Sequence, residues 1–316
     1  MSYLKLQAKF KKVLLKVIPI WLVLILIFQT SLLTGFFEYL IMKRNFNRQL
    51  VELLKNTKSP EDLVQILKQE VLPQSGHTLS VRWNDIGKEL LSSGAIDKAK
   101  FEQLFAKEPE SLNQMKYLLG NSKDNMVINE KNSHFMVNTL WALGLVNKNR
   151  ILDEGKMKSY GNGDPMSFAS TGGWTLGAKQ TDALYSSTSI IKLTDKQQKL
   201  VEEIASDIYR PCCGNPTSFP DCNHGMAALG YIELAVKQGV PKEQIYKDVL
   251  ALNSFWFPQN YIEIAAFFNK QAKDWKSIDP KLILSQQYSS GEGAQRVKQS
   301  VSDIPGLKVK EGGCGA

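Results

Sequence analysis

At 316 residues the chain has room for one large or two modest domains beside a membrane segment. Hydrophobic residues make up 43% and charged residues 22%, as in proteins with a packed core. The net charge of +8 suggests a polyanion partner until its location is read. Residues 1–48 hold eight of the 39 Lys and Arg and, in Glu38, one of the 31 acids, which leaves 31 basic against 30 acidic residues for everything after. The remainder is near neutral and has no basic stripe, which excludes nucleic acid as the expected partner.

The chain opens with a lysine-rich tail, and residues 17–37 (VIPIWLVLILIFQTSLLTGFF) are then almost uninterruptedly apolar. About 20 such residues match a hydrocarbon core of roughly 30 Å, so a single-pass transmembrane helix is predicted. A cleavable signal peptide would have a shorter apolar run and a small-x-small site after it. Trp21 and Tyr39 suit the two interfaces. Five lysines before the run favour a cytoplasmic N-terminus and a soluble domain outside the cytoplasm, although Lys43, Arg44 and Arg48 on the other flank weaken that bias.

Beyond the anchor (1–42) the pattern predicts an all-α, or nearly all-α, multi-helix domain. A helical region over 43–152 starts one helix at Ser59-Pro60-Glu61-Asp62 and places another near 83–93, stopped by Gly94. A third begins after Asp97, and an apolar one covers 130–146, with His134 on it as a core histidine. His77, in a Gly/Ser context, is expected to be solvated. Residues 153–190 read as a Gly/Ser-rich loop, and its STGGW stretch as a lid over a site. Over 191–290 come a helix capped by Thr194, a cysteine-bearing segment, and helices near 225–238, after Pro241, and over 259–270. At most one strand is expected, around 189–193. Trp83, Trp141, Phe255, Trp256 and Phe257 read as core. Residues 291–316 are expected to be a flexible tail ending in Gly-Gly-Cys314-Gly-Ala.

All four cysteines lie in the C-terminal third: Cys212, Cys213, Cys222 and Cys314. The first three share RPCCGNPTSFPDCNH with His224. Soft thiolates with an imidazole suit Zn, Cu or Fe. Prolines and a glycine make the segment turn-forming, and Asp221 or Asn223 is expected to cap the following helix. A thiolate at that helix start is favoured by free amides and by the dipole. Adjacent cysteines make a poor mutual disulfide, because neighbouring Cα atoms sit about 3.8 Å apart and bridges want about 4.4–6.8 Å. Three readings stay open. The cluster holds or transfers a soft metal with Cys314 as an extra donor, or it performs thiol–disulfide exchange through Cys212, Cys213 and Cys314 on a client protein, or it forms structural disulfides. No metalloprotease, nucleophile-elbow, kinase or dinucleotide signature is present.

The stretches VRWNDIG, NSHFMVNTLWALGLVNKN, STGGWTLG, IYRPCCGNPTSFPDCNHGMAALG and NSFWFPQNY resemble a group of uncharacterised prokaryotic membrane-anchored proteins, a similarity that implies no activity. Over 208–256 the order Arg210, two cysteines, Asn215, an Ala-rich helix, Gly239 and PKEQI is similar to the thiol oxidoreductase subunit of cytochrome c maturation. That family opens a small outward-facing helical bundle with Arg-Cys-x-x-Cys, which implies redox work at Cys212 and Cys213. Here the two are adjacent, and Cys222 and His224 have no counterpart.

Overall fold

The computed structural model describes residues 20–56, 60–120, 122–160 and 163–307, and the chain divides into two compact units, 1–56 and 57–316.

The first unit is one helix, α1 (Ile20–Asn56). Its segment Val23–Phe46 is 24 residues long with a mean hydropathy of 1.7, long and apolar enough to cross a membrane. The helix continues well beyond the expected end at Phe37. Two threonine hydroxyls within it bond its own backbone: Thr30 Oγ1 donates to Ile27 O at 2.9 Å and Thr34 Oγ1 to Thr30 O at 2.8 Å. Polar side chains that bond their own helix are tolerated in hydrocarbon.

The second unit is mostly helical but not strictly all-α. It begins with α2 (Pro60–Val71), with proline at the first helical position as its fixed φ allows. Then comes β1 (His77–Asn84), which pairs antiparallel with β2 (Ser122–Ile128). This small two-stranded sheet is what keeps an otherwise helical unit from being strictly all-α. In HTLSVRWN the side chains of Leu79, Val81 and Trp83 are fully buried in strict alternation, a period of two. The helix expected from residue 83 starts only at α3 (Ile86–Ser93), which stops at Gly94 with φ 81°. Between the strands, α4 (Lys98–Leu104) is capped by the Asp97 carboxylate. At 189–193 there is no strand, and the nearest pairing is a lone bridge between Asn147 and Thr188.

Two helices form the centre. In α5 (Ser133–Val146) twelve consecutive residues from Phe135 are buried, and in α7 (Asn223–Lys237) thirteen from His224. Such all-round burial requires neighbours on every side. They include each other, α6 (Asp195–Asp207) and α8 (Lys242–Trp256), followed in sequence by α9 (Pro258–Asn269) and α10 (Gly291–Ser300). The Thr194 cap on α6 is a full capping box with Gln197. α5 and α7 approach backbone to backbone, because a Cβ on Gly144 would lie 2.1 Å from Met226 O and one on Gly230 2.5 Å from Leu140 O.

Two acids inside this core are hydrogen-bonded by several partners each. Glu233 on α7 accepts from Asn147 Nδ2 at 3.0 Å and from Asn149 Nδ2, yet its burial pushes the carboxyl well above its usual range. Asp248 on α8 accepts from His77, Ser80 N, Tyr231 and Gln244, which stitches β1 to the helices. His77 is therefore a paired, partly buried side chain instead of a solvated one, with Nε2 2.9 Å from Asp248 Oδ1. His134 is likewise only partly buried, with Nδ1 2.9 Å from Glu108 Oε1.

The 153–190 segment is tied down at several points. Trp141 Nε1 donates to Ser170 O at 2.6 Å, Trp174 Nε1 to Ala95 O at 2.9 Å, and Lys100 Nζ to Gly177 O at 2.7 Å. Ser170 N in turn donates to Asp221 O at 3.2 Å, so this segment braces the cysteine loop from behind.

Candidate three-thiol site

The 208–222 loop joins α6 to α7. Its ends are clamped where Thr217 N donates to Ile208 O at 2.8 Å and Ser218 N to Ala205 O at 3.0 Å. Two further bonds hold it against the C-terminal segment, from Tyr209 N to Leu284 O and from Gly291 N to Cys213 O, both 2.8 Å.

Arg210 organises the loop. Its side chain is fully buried, a rare place for a guanidinium unless every partner is supplied. It donates through Nε to Cys222 Sγ at 3.0 Å, through one terminal nitrogen to Asn215 O at 2.9 Å, and through the other to Phe219 O at 3.3 Å and Asp221 Oδ1 at 2.7 Å. Asn215 Nδ2 donates to the second Asp221 oxygen at 2.8 Å. The guanidinium lies flat on the first turn of α7, where a Cβ at residue 225 would sit 2.5 Å from its central carbon. Because those bonds pin the arginine, only glycine fits at 225.

Cys222 itself caps α7, with Sγ accepting from Gly225 N at 3.4 Å. This corrects the expectation of an Asp221 or Asn223 cap, since the Asp221 carboxylate is turned to Arg210 and Asn215. The other two sulfurs gather on Cys222. Cys212 Sγ lies 3.2 Å away and Cys213 Sγ 4.0 Å away, and all three lie within 4.8 Å of one another as free thiols. Cys212 is exposed to solvent and the other two are partly buried.

The charges sort the three. Hydrogen bonds from Cys212 and Cys213, with the Arg210 guanidinium beside it, hold the Cys222 thiol well below its usual range despite burial. Cys212 is raised, chiefly by its hydrogen bonds to the other two sulfurs. Cys222 is therefore the first of the three thiols to lose its proton, and Cys212 and Cys213 keep theirs longer. A pH titration followed by thiolate ultraviolet absorbance should show one thiolate per chain persisting well below the ordinary thiol range. That signal should vanish in Cys222→Ser; a wild-type chain showing no thiolate below about pH 8 would contradict the assignment.

His224 does not join the sulfurs. Residues two apart at a helix start project about 200° from each other, so its ring turns inward, with its centroid 4.4 Å from Phe257 and 5.6 Å from Trp256. Burial lowers its pKa to about 4, although the Cys222 anion pulls the other way, and the ring is neutral. Among the described residues the three cysteines are the group able to hold a metal ion, and Cys314 lies outside those residues. No known family, characterised protein or solved structure matches the chain. The functional reading therefore rests on geometry.

Of the residues that build the site, Arg210, Asn215 and Gly225 carry no local ligand signature. The available hint is that Arg210 and Asp221 are the two charged residues of an otherwise uncharged RPCCGNPTSFPDCNHG segment.

Proposed function

We propose that this chain is a membrane-tethered protein that binds a soft metal ion through Cys212, Cys213 and Cys222 and hands it on. The observation behind this reading is the convergence of three sulfurs within 4.8 Å on a loop held by a buried arginine. Thiolates select Zn, Cu(I) or Fe over hard cations, and the exposed Cys212 gives an incoming donor access. Cys314 in the tail, or a thiol of a client protein, supplies the exchanging ligand. Arg210 acts one shell out by orienting Cys222 through its Nε, 3.0 Å from the sulfur, so Arg210→Lys should weaken metal affinity by about 10–100-fold. The soluble unit is placed outside the cytoplasm on the strength of the lysine-rich N-terminus.

The 3.2 Å approach of Cys212 to a thiolate at Cys222 favours one rival, thiol–disulfide exchange. In that chemistry the Cys222 thiolate attacks a client disulfide and expels one client thiolate. The Cys212 sulfur, losing its proton, then attacks Cys222 in the mixed disulfide, which releases the second client thiolate and leaves a Cys212–Cys222 bridge. Elemental analysis of the full chain, purified under reducing conditions, together with a thiol count separates the two. The proposal expects about one metal per chain, lost in Cys222→Ser. Titratable thiols that bind no added metal would favour exchange, and no metal with no free thiol would leave a structural disulfide role.

A further inference from the structure

The donor set is narrower than a zinc site needs. Among the described residues the sphere of three sulfurs contains no fourth His, Asp or Glu ligand atom. His224 faces Phe257, and the Asp221 oxygens are engaged by Arg210 at 2.7 Å and Asn215 at 2.8 Å. Closed zinc sites are almost always tetrahedral with four protein ligands. We infer that the cargo is a trivalent metalloid hydroxide, arsenite or antimonite, held in a pyramid by Cys212, Cys213 and Cys222. This rests on the reading above that the three sulfurs bind a soft element.

Coordination and charge both point this way. Trivalent arsenic and antimony take three sulfurs and keep a lone pair opposite them, so three converging donors complete the shell. The Arg210 guanidinium and the Asp221 carboxylate offset each other, so the charge of the loaded site is that of the centre and its sulfurs. Three thiolates leave a divalent ion at −1 and a cuprous ion at −2, whereas a trivalent centre is neutral. Uncompensated charge in a partly buried site is expensive, and the neutral adduct avoids it.

Delivery also fits. The hydroxide form of either element is uncharged near neutral pH and meets the exposed Cys212 first. Each of three oxygen bonds to the metalloid is replaced by a bond to sulfur; two hydroxides leave as water with the protons of Cys212 and Cys213, and the third, displaced by the Cys222 thiolate, takes its proton from solvent. Nothing is oxidised or reduced, so no co-reactant is required.

The test titrates the reduced full chain in detergent with arsenite, and in parallel with zinc and with cuprous ion. Thiols protected from alkylation are mapped by mass spectrometry, and X-ray absorption at arsenic counts its sulfur neighbours. The expected result is one arsenic per chain with three sulfur neighbours and protection of Cys212, Cys213 and Cys222. Serine at any of these should weaken binding by about tenfold or more, whereas His224→Ala should leave it unchanged. If a serine variant fails to fold, the wild-type protection map decides. Arsenite protecting fewer than these three thiols, or requiring Cys314, while zinc or cuprous ion binds one per chain, would overturn this inference and leave soft-metal binding standing. No binding of any of the three ions would overturn both.

Discussion

Arg210→Met is expected to destabilise the soluble unit by about 3–5 kcal/mol, the range found when one partner of a buried ion pair is removed. The methionine fills much of the volume but donates to nothing. Asp221 is then left without its counter-charge, and Cys222 and the carbonyls of Asn215 and Phe219 lose a donor. Arg210→Lys should recover only part of this, because an ammonium cannot serve a sulfur, two carbonyls and a carboxylate in one plane. Adding Asp221→Asn to Arg210→Met should be less harmful than the separate effects combined, since it removes the stranded charge. Denaturant unfolding followed by tryptophan fluorescence measures all three, and a loss below about 1 kcal/mol in Arg210→Met would mean that the arginine is not the keystone of the loop.

Gly144→Ala should cost about 3 kcal/mol or more, at the upper end of overpacking effects. The new methyl would meet Met226 O at 2.1 Å, and Gly230→Ala would meet Leu140 O at 2.5 Å. Both obstacles are backbone atoms of a helix buried on every side, so relief requires separating α5 from α7. Because Cys222 caps α7, that separation should also loosen the site, seen as a weaker low-pH thiolate signal. Gly214→Ala is the control: a methyl there meets nothing within 4 Å and should change stability by under about 0.5 kcal/mol. Comparable effects at 144 and 214 would show that the helix contact is looser than these distances state.

The helical parts were legible because their signals are local. Thr194 with Gln197, Asp97, Pro60 and the glycines at 94 and 239 act within one turn of the helix they start or stop. The sheet was misread for the opposite reason. β1 alternates cleanly, but its partner is some forty residues away and buries only Met126 and Ile128, and pairing at that distance leaves little trace in either strand alone. Likewise His77 and His134 have their carboxylate partners at Asp248 and Glu108, far outside any local window.

Composition and local order alone determined that this protein has a membrane-length apolar helix, a mostly helical second unit and three cysteines on a turn-rich loop before a helix. These follow from hydropathy, capping and backbone stiffness, all of which act between near neighbours. Only the tertiary structure decided which donors meet. Helix geometry turns His224 away from Cys222, and a fully buried Arg210, bonded to four groups along the loop, draws Cys222 to the point where Cys212 and Cys213 can reach it. Convergence of that kind depends on long-range packing that places one charge inside the core, and no pattern within a single turn encodes it.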